Sequence, residues 1–224
     1  MGDGPAVVVP RMNVDWTTHD LSALTARFRV VIVSPRGFGP SSRRGPYDGA
    51  GCVADIGAVL DHLRIEACAG FGYSMNGAMA ALLALDDPRV AAVAIGGFPL
   101  TANLSGMGVR ARARNEATRS DPEQWDALTA VYDPAAAEAV WDHVAGMPRG
   151  AFAELPCPVR AWWGERDTVL ASIQEPAELA RDLDALQIPY DVLPGLDHGG
   201  ALERLGLVLP TVAEWLHTSM TTSG

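Results

Sequence analysis

The sequence predicts an α/β protein: a mostly parallel six-stranded sheet with helices on both faces. Short apolar, β-branched runs alternate with stretches whose apolar residues recur at helical spacing. Polar, glycine-bearing loops follow several of the runs, at residues 34–42, 72–77, 164–167 and 194–200. Only residues 97–155 break the rhythm, with helix signals and no strand candidate.

Residues 6–9 read as a buried strand that ends at Pro10, and residues 10–16 as a loop. Residues 20–28 read as a helix with Leu21, Leu24 and Phe28 inward, and residues 29–33 as the second strand. Val53, Ile56, Leu60 and Leu63 fall at helical spacing, which predicts an amphipathic helix over 49–63. Residues 67–72 are small and apolar, suiting a third strand, and residues 75–85, rich in Ala, Leu and Met, suit a buried helix. Residues 90–95 read as the fourth strand.

Within the break, Ser120-Asp121-Pro122-Glu123 predicts a helix start, with a capping serine and a glutamate three residues on. Asp133-Pro134 predicts another, running towards Ala145. Strands resume at 159–163 and 190–193, separated by a helix over 174–186 with Leu179, Leu183 and Leu186 inward. Leu205, Val208, Leu209, Val212, Trp215 and Leu216 close the chain at helical spacing, with Pro210 marking a fresh start or a kink. The expected division is a core of residues 1–96 and 156–224 with a helical insertion at 97–155.

At 224 residues and 48% hydrophobic, the chain can bury one well-formed domain. No stretch approaches the length of a membrane span and residues 1–5 carry no basic leader segment, so a cytoplasmic protein without a membrane partner is expected. A net charge of −10 argues against nucleic acid as partner. Cys52, Cys68 and Cys157 are odd in number and far apart, and read as small core hydrophobes, with no metal site implied. All 17 positive charges are arginine, and the absence of lysine excludes a P-loop, a Schiff-base enzyme and a lysine general base.

The chemistry gathers at Gly72-Tyr73-Ser74-Met75-Asn76-Gly77. A strand that turns into a helix through one residue strains that residue and pushes its side chain into the open, beside the free N–H groups of the helix start. Right-handed crossovers put every post-strand loop on one edge of a parallel sheet, so Ser74, Asp167 and His198 share an edge. Imidazole can take the serine proton near neutral pH, and a carboxylate behind it fixes its tautomer. Asp197 is the weaker acid candidate, since adjacent loop residues point apart. A dinucleotide-binding reading of Gly70-Phe71-Gly72 lacks its third glycine, where Met75 stands.

Other residues have a plainer reading. His19, His62, His143 and His217 fall on helical stretches as ordinary, partly exposed residues. Arg110, Arg112 and Arg114 fit a solvated helix face better than a device for steering an anionic substrate. Trp16, Tyr73, Met107, Trp125, Tyr132, Trp141 and Met147 are the candidates for lining an apolar small-molecule pocket, with core packing the alternative for each.

Four segments resemble the α/β-hydrolase family, in the family's order: Ser34-Pro35-Arg36-Gly37-Phe38-Gly39-Pro40-Ser41, the elbow around Ser74, Trp163-Gly164-Glu165-Arg166-Asp167, and Gly195-Leu196-Asp197-His198. The resemblance runs along nearly the whole chain. It implies Ser74 as nucleophile, His198 as general base, Asp167 as the orienting acid, a cap at 97–155, and the Met75 N–H as one oxyanion donor. Asn76 departs from the glycine the family usually carries and is expected to be tolerated. Pro10-Arg11-Met12-Asn13 replaces the usual His-Gly; Pro10 has no N–H, which leaves the main chain of Met12 or Arg11 as the expected second donor. The chain starts where the family's third strand would be, so an edge is expected to be open and the protein a monomer or homodimer.

The expected activity is cleavage of a carboxylic ester, thioester or lactone of a small to medium apolar substrate through an acyl-enzyme, without a cofactor. The alternatives are the same triad serving C–C bond hydrolysis, acyl transfer or cyclisation in a biosynthetic pathway, and a non-catalytic ligand-binding protein on this fold.

Overall fold

The computed structural model describes residues 2–222, and the expectations that touch Met1 and the last two residues lie outside it. Its apolar runs form the strands β1 (Ala6–Pro10), β2 (Arg29–Val33), β3 (Cys68–Tyr73), β4 (Val90–Gly96), β5 (Val159–Gly164) and β6 (Tyr190–Leu193). They pair in parallel in the order β2-β1-β3-β4-β5-β6. The helices are α1 (Ser22–Thr25), α2 (Gly49–His62), α3 (Met75–Asp86), α4 (Met107–Arg119), α5 (Pro122–Val131), α6 (Pro134–Ala145), α7 (Thr168–Ala171), α8 (Pro176–Ala185), α9 (His198–Glu203) and α10 (Leu209–Thr222).

Successive strand residues point to opposite faces, and the sheet feeds two cores accordingly. Val8, Cys68, Val93, Ile95 and Trp163 join α2, α3 and α8 on one face. Val7, Val9, Ala69, Phe71, Ala92 and Trp162 join α1 and α10 on the other. Helix α3 is buried from Met75 to Ala84, which suits its small, all-round apolar sequence.

Three expected elements come out differently. The helix over 20–28 shrinks to α1, yet Leu21, Leu24 and Phe28 are still buried, placed by turns on either side of it. Ser120 closes α4 and does not open α5: its hydroxyl donates to Ala117 O, and Asp121 instead caps α5 by accepting from the Glu123 and Gln124 N–H groups. The helix over 174–186 starts at Pro176, because the Gln174 amide is drawn off to Thr101 and Asp182, and Leu186 ends up exposed at its C-terminus. Pro210 lies in the first turn of α10, where the missing N–H costs nothing.

The sheet order reverses between β1 and β3, the crevice where open α/β folds take ligands. The loop after β1 and the turn at Ser74 flank that point. Helices α4, α5 and α6 lie between β4 and β5 in the chain, and α6 packs on both α4 and α2. The loop after β2 ties down this helical segment through Asp133 N–H to Gly37 O at 2.7 Å and Gly39 N–H to Val131 O at 3.0 Å. Among the described residues no helix is long and apolar enough to cross a membrane.

The same loop is anchored to α2 by Arg36, whose main-chain N–H and guanidinium donate to Asp55 at 2.6–2.8 Å. Those hydrogen bonds hold the Asp55 carboxyl below its ordinary value. A lowered carboxyl stabilises the fold above the unfolded-state value of about 4 and ceases to do so as pH falls through the folded one. Asp55→Asn therefore lowers the urea midpoint at pH 7, and its deficit against the parent protein closes as the pH is taken below that range. A deficit that persists unchanged in acid contradicts the assignment.

Candidate active site

Ser74 is the single residue between β3 and α3, with φ 54° and ψ −123°. A positive φ on a residue with a Cβ costs roughly 1–3 kcal/mol and has to be held by its surroundings. Here the Ser74 N–H donates to Gly96 O at 2.7 Å, and the Ser74 carbonyl accepts from Ala78 N–H at 2.9 Å. Such a tight turn brings the helix down onto its own strand. A Cβ on Gly72 would meet the Asn76 carbonyl, and one on Gly77 would stand 2.9 Å from Ile95 Cγ2. Ser74 is half-buried and lines a cavity of about 240 Å³. Met75 opens α3, so its N–H has no partner within the helix.

The loops after β5 and β6 are laced together. Glu165 N–H donates to Leu193 O at 3.0 Å, Arg166 N–H to Leu196 O at 2.8 Å, and Gly195 N–H to Glu165 Oε2 at 2.7 Å. This lacing presents buried Asp167 to His198. Asp167 Oδ1 accepts from the Leu170 N–H at 2.8 Å, and Oδ2 lies 2.7 Å from His198 Nδ1. A carboxylate can only accept from Nδ1, so the contact orients the ring through an Nδ1–H. Asp197 is used otherwise, capping α9 through the Gly200 N–H at 2.7 Å.

Tyr73, Ser74's neighbour, brings the His198 loop against the elbow. Its hydroxyl donates to His198 O at 2.8 Å and its ring lies 5.0 Å from the imidazole, centre to centre. Burial pushes the Tyr73 phenol well above its usual range, so it stays a donor. Among the described residues the Ser74 hydroxyl makes no hydrogen bond, to His198 or elsewhere. Hydrogen bonds of this kind are commonly loose before substrate arrives.

The two N–H groups expected to offer a second oxyanion donor are both engaged within the protein. The Arg11 N–H extends the β1–β2 ladder to Val33 O at 2.7 Å, and the Arg11 guanidinium pairs with Asp15 at 2.6 Å. The Met12 N–H donates to Asn76 Oδ1 at 2.8 Å. Asn76 is fully buried, and its amide nitrogen donates to Asn13 Oδ1 at 2.9 Å and Tyr73 O at 3.1 Å. Far from being merely tolerated, the side chain where the family usually has glycine clamps the elbow to the loop after β1.

Of the expected pocket residues, the structure places Met107 and Trp141 in the cavity wall with Ser74. The others lie elsewhere, because aromatic content does not say which face a side chain takes. Trp16 packs on Phe71 across the sheet and donates to Pro10 O at 2.7 Å. Tyr73 sits beneath His198, Trp125 lies under the Arg119 guanidinium at 4.7 Å, and Tyr132 packs on Phe38. Met147 packs on the core outside the wall. The sequence reading missed Phe98, Leu170 and Ile173 in the wall, and it set aside Arg110 and Arg114, which stand there too. Among the described residues no cluster of three or more His, Cys, Asp or Glu could hold a metal ion.

Comparison with known proteins agrees with the fold. The family model described as "Alpha/beta hydrolase family" matches residues 11–208. Among solved structures, a carboxylesterase study of the thaumarchaeon Nitrososphaera gargenis gives a TM-score of 0.72 at 18% identity, covering 99% of this chain and 94% of that one. A Mycobacterium tuberculosis protein gives 0.74 at 20%, covering 98% and 92%. E-2-(acetamidomethylene)succinate hydrolase gives 0.67 at 18%, covering 96% and 92%. At these identities the likeness establishes the fold.

The Asn76 clamp has a measurable consequence. Asn76→Ala leaves the buried Met12 N–H and Tyr73 carbonyl without these partners, which costs about 1–3 kcal/mol for each group left unsatisfied. Urea denaturation of the variant is expected to show a loss of about 2–6 kcal/mol for the two groups together. Unchanged stability would mean that water or a shifted backbone replaces the clamp.

Proposed function

Since the chain belongs to the alpha/beta hydrolase family, we propose that it is a serine hydrolase cleaving an ester, thioester or lactone of a small to medium apolar substrate. The observation that carries this reading is the 2.7 Å contact between Asp167 and His198, held by Tyr73 against the strained turn that presents Ser74.

In this reading Ser74 Oγ attacks the substrate carbonyl carbon and its proton passes to His198 Nε2. Asp167 stabilises the imidazolium that forms. The carbonyl oxygen becomes an oxyanion that accepts from the Met75 N–H at the start of α3, where the helix dipole adds to the donor. Collapse expels the alcohol or thiol, which takes the proton from His198. Water then attacks the acyl-enzyme by the same route in reverse and regenerates the Ser74 hydroxyl. A cavity of about 240 Å³ falls below the ~300–1,000 Å³ common for drug-sized ligands, which supports a small substrate.

The engaged Met12 N–H favours a second reading, in which the same three residues serve acyl transfer or cyclisation and simple esters are poor substrates. Asn76→Gly tests the premise of this second reading, since it frees that N–H. A second oxyanion donor is worth about 10²–10³ in kcat. A gain of tenfold or more in 4-nitrophenyl ester turnover marks a donor withheld in the resting protein. No gain means that the Met12 N–H is not aimed at the oxyanion.

The main test is direct. Ser74→Ala should abolish 4-nitrophenyl ester turnover and labelling by a fluorophosphonate probe, and Asp167→Asn should lower kcat by about 10⁴. Labelling that survives in Ser74→Ala overturns the proposal, and a parent protein that is never labelled points to a binding scaffold.

A further inference from the structure

Helix α4 carries the run Met107-Gly108-Val109-Arg110-Ala111-Arg112-Ala113-Arg114. Residues 107, 110, 111 and 114 recur at helical spacing, and all four line the cavity that holds Ser74. The alternate positions turn away. Gly108 packs against Asp142 on α6, Arg112 pairs with the same carboxylate at 2.7 Å, and Val109 is 66% exposed. All three arginines are exposed, as a solvated face requires, but their guanidinium groups divide between an ion pair with α6 and the lining of the cavity.

Arg110 and Arg114 differ from Arg112 in their partners. Arg110 Nη2 donates to the Ser172 carbonyl at 3.0 Å, and Arg114 Nη2 donates to the Tyr132 hydroxyl at 3.2 Å. Neither meets a carboxylate among the described residues. The neutral acceptors aim the two guanidinium groups without cancelling their charge. Most of each group's five N–H donors remain unused. Much of the rest of the wall is apolar, with side chains such as Phe98, Leu170 and Ile173. The chain as a whole carries −10, a field that repels anions, so a local pair of uncancelled cations is selective there.

We propose that the substrate, apolar beside the scissile carbonyl, ends in an anionic group, a carboxylate in the simplest case, a short apolar segment away. Arg110 and Arg114 bind that group while the carbonyl lies at Ser74. Guanidinium groups suit this because they match a carboxylate with paired N–H donors. The inference takes the position of the scissile bond from the proposed hydrolase reading.

The test compares mono-4-nitrophenyl adipate, whose far end is a carboxylate, with 4-nitrophenyl hexanoate, which has none. The parent protein is expected to prefer the adipate ester by about tenfold or more in kcat/KM, mainly through KM, as a charge-assisted contact would give. Added salt should shrink the preference. The double variant Arg110→Gln, Arg114→Gln should bring the ratio close to one, whereas Arg112→Gln, on the face away from the cavity, should leave it unchanged. A parent protein without the preference, or a double variant that keeps it, overturns the proposal. Calorimetric titration of Ser74→Ala with monomethyl adipate and methyl hexanoate, of which only the first carries a carboxylate, decides the matter without turnover. Tighter binding of monomethyl adipate that disappears on replacing both arginines supports the anion site even if no ester is cleaved and Ser74 is never labelled. Equal binding refutes it, whatever the fate of the hydrolase reading.

Discussion

Everything at the candidate site depends on the backbone of Ser74, which has to turn from strand to helix within one residue at φ 54°. That turn is unfavourable in isolation and survives only where the surroundings fix both ends. Here β3 is buried in the sheet and α3 is buried along nearly its whole length, so neither can shift to relax it. Glycine at 72 follows from the same constraint, since the helix lies so close that its backbone occupies the space of a side chain. The core holds the serine in place.

From the turn, two short networks run outward. Tyr73 reaches the His198 carbonyl and ties the elbow to the last loop of the sheet, while Asp167 fixes the imidazole from the loop before it. In the other direction Asn76 reaches the loop after β1 through Met12 and Asn13. The elbow thus sits between two clamps made by its own neighbours in sequence. One clamp holds the loop that carries His198. The other engages the Met12 N–H, so the loop after β1 is fixed to the elbow through that main-chain donor.

Much of this was legible in the sequence. Parallel strands show as β-branched runs, and the Ser74 turn shows because a strand-like run and a helix-like run meet at one hydroxyl flanked by glycines. Asp167 and His198 show because topology alone brings their loops to one edge. The destinations of backbone donors do not show. Nothing in Pro10-Arg11-Met12-Asn13 announces that the Arg11 N–H continues a ladder or that Met12 is claimed by a side chain 64 residues away. Aromatic residues were equally opaque, since Trp16 and Trp141 look alike until the face of the sheet each one packs on is known. The arginine run of α4 lay between these cases: its helical spacing was readable, but only the position of α6 shows which stripe faces the cavity.

The most direct test of the account is a crystal structure of the protein after reaction with a fluorophosphonate. The account predicts phosphorus bonded to Ser74 Oγ, a phosphonyl oxygen accepting from the Met75 N–H, and His198 Nε2 within hydrogen-bond distance of Ser74 Oγ while Nδ1 keeps its contact with Asp167. An adduct on another residue, or an imidazole out of hydrogen-bond reach of the modified serine, would contradict it.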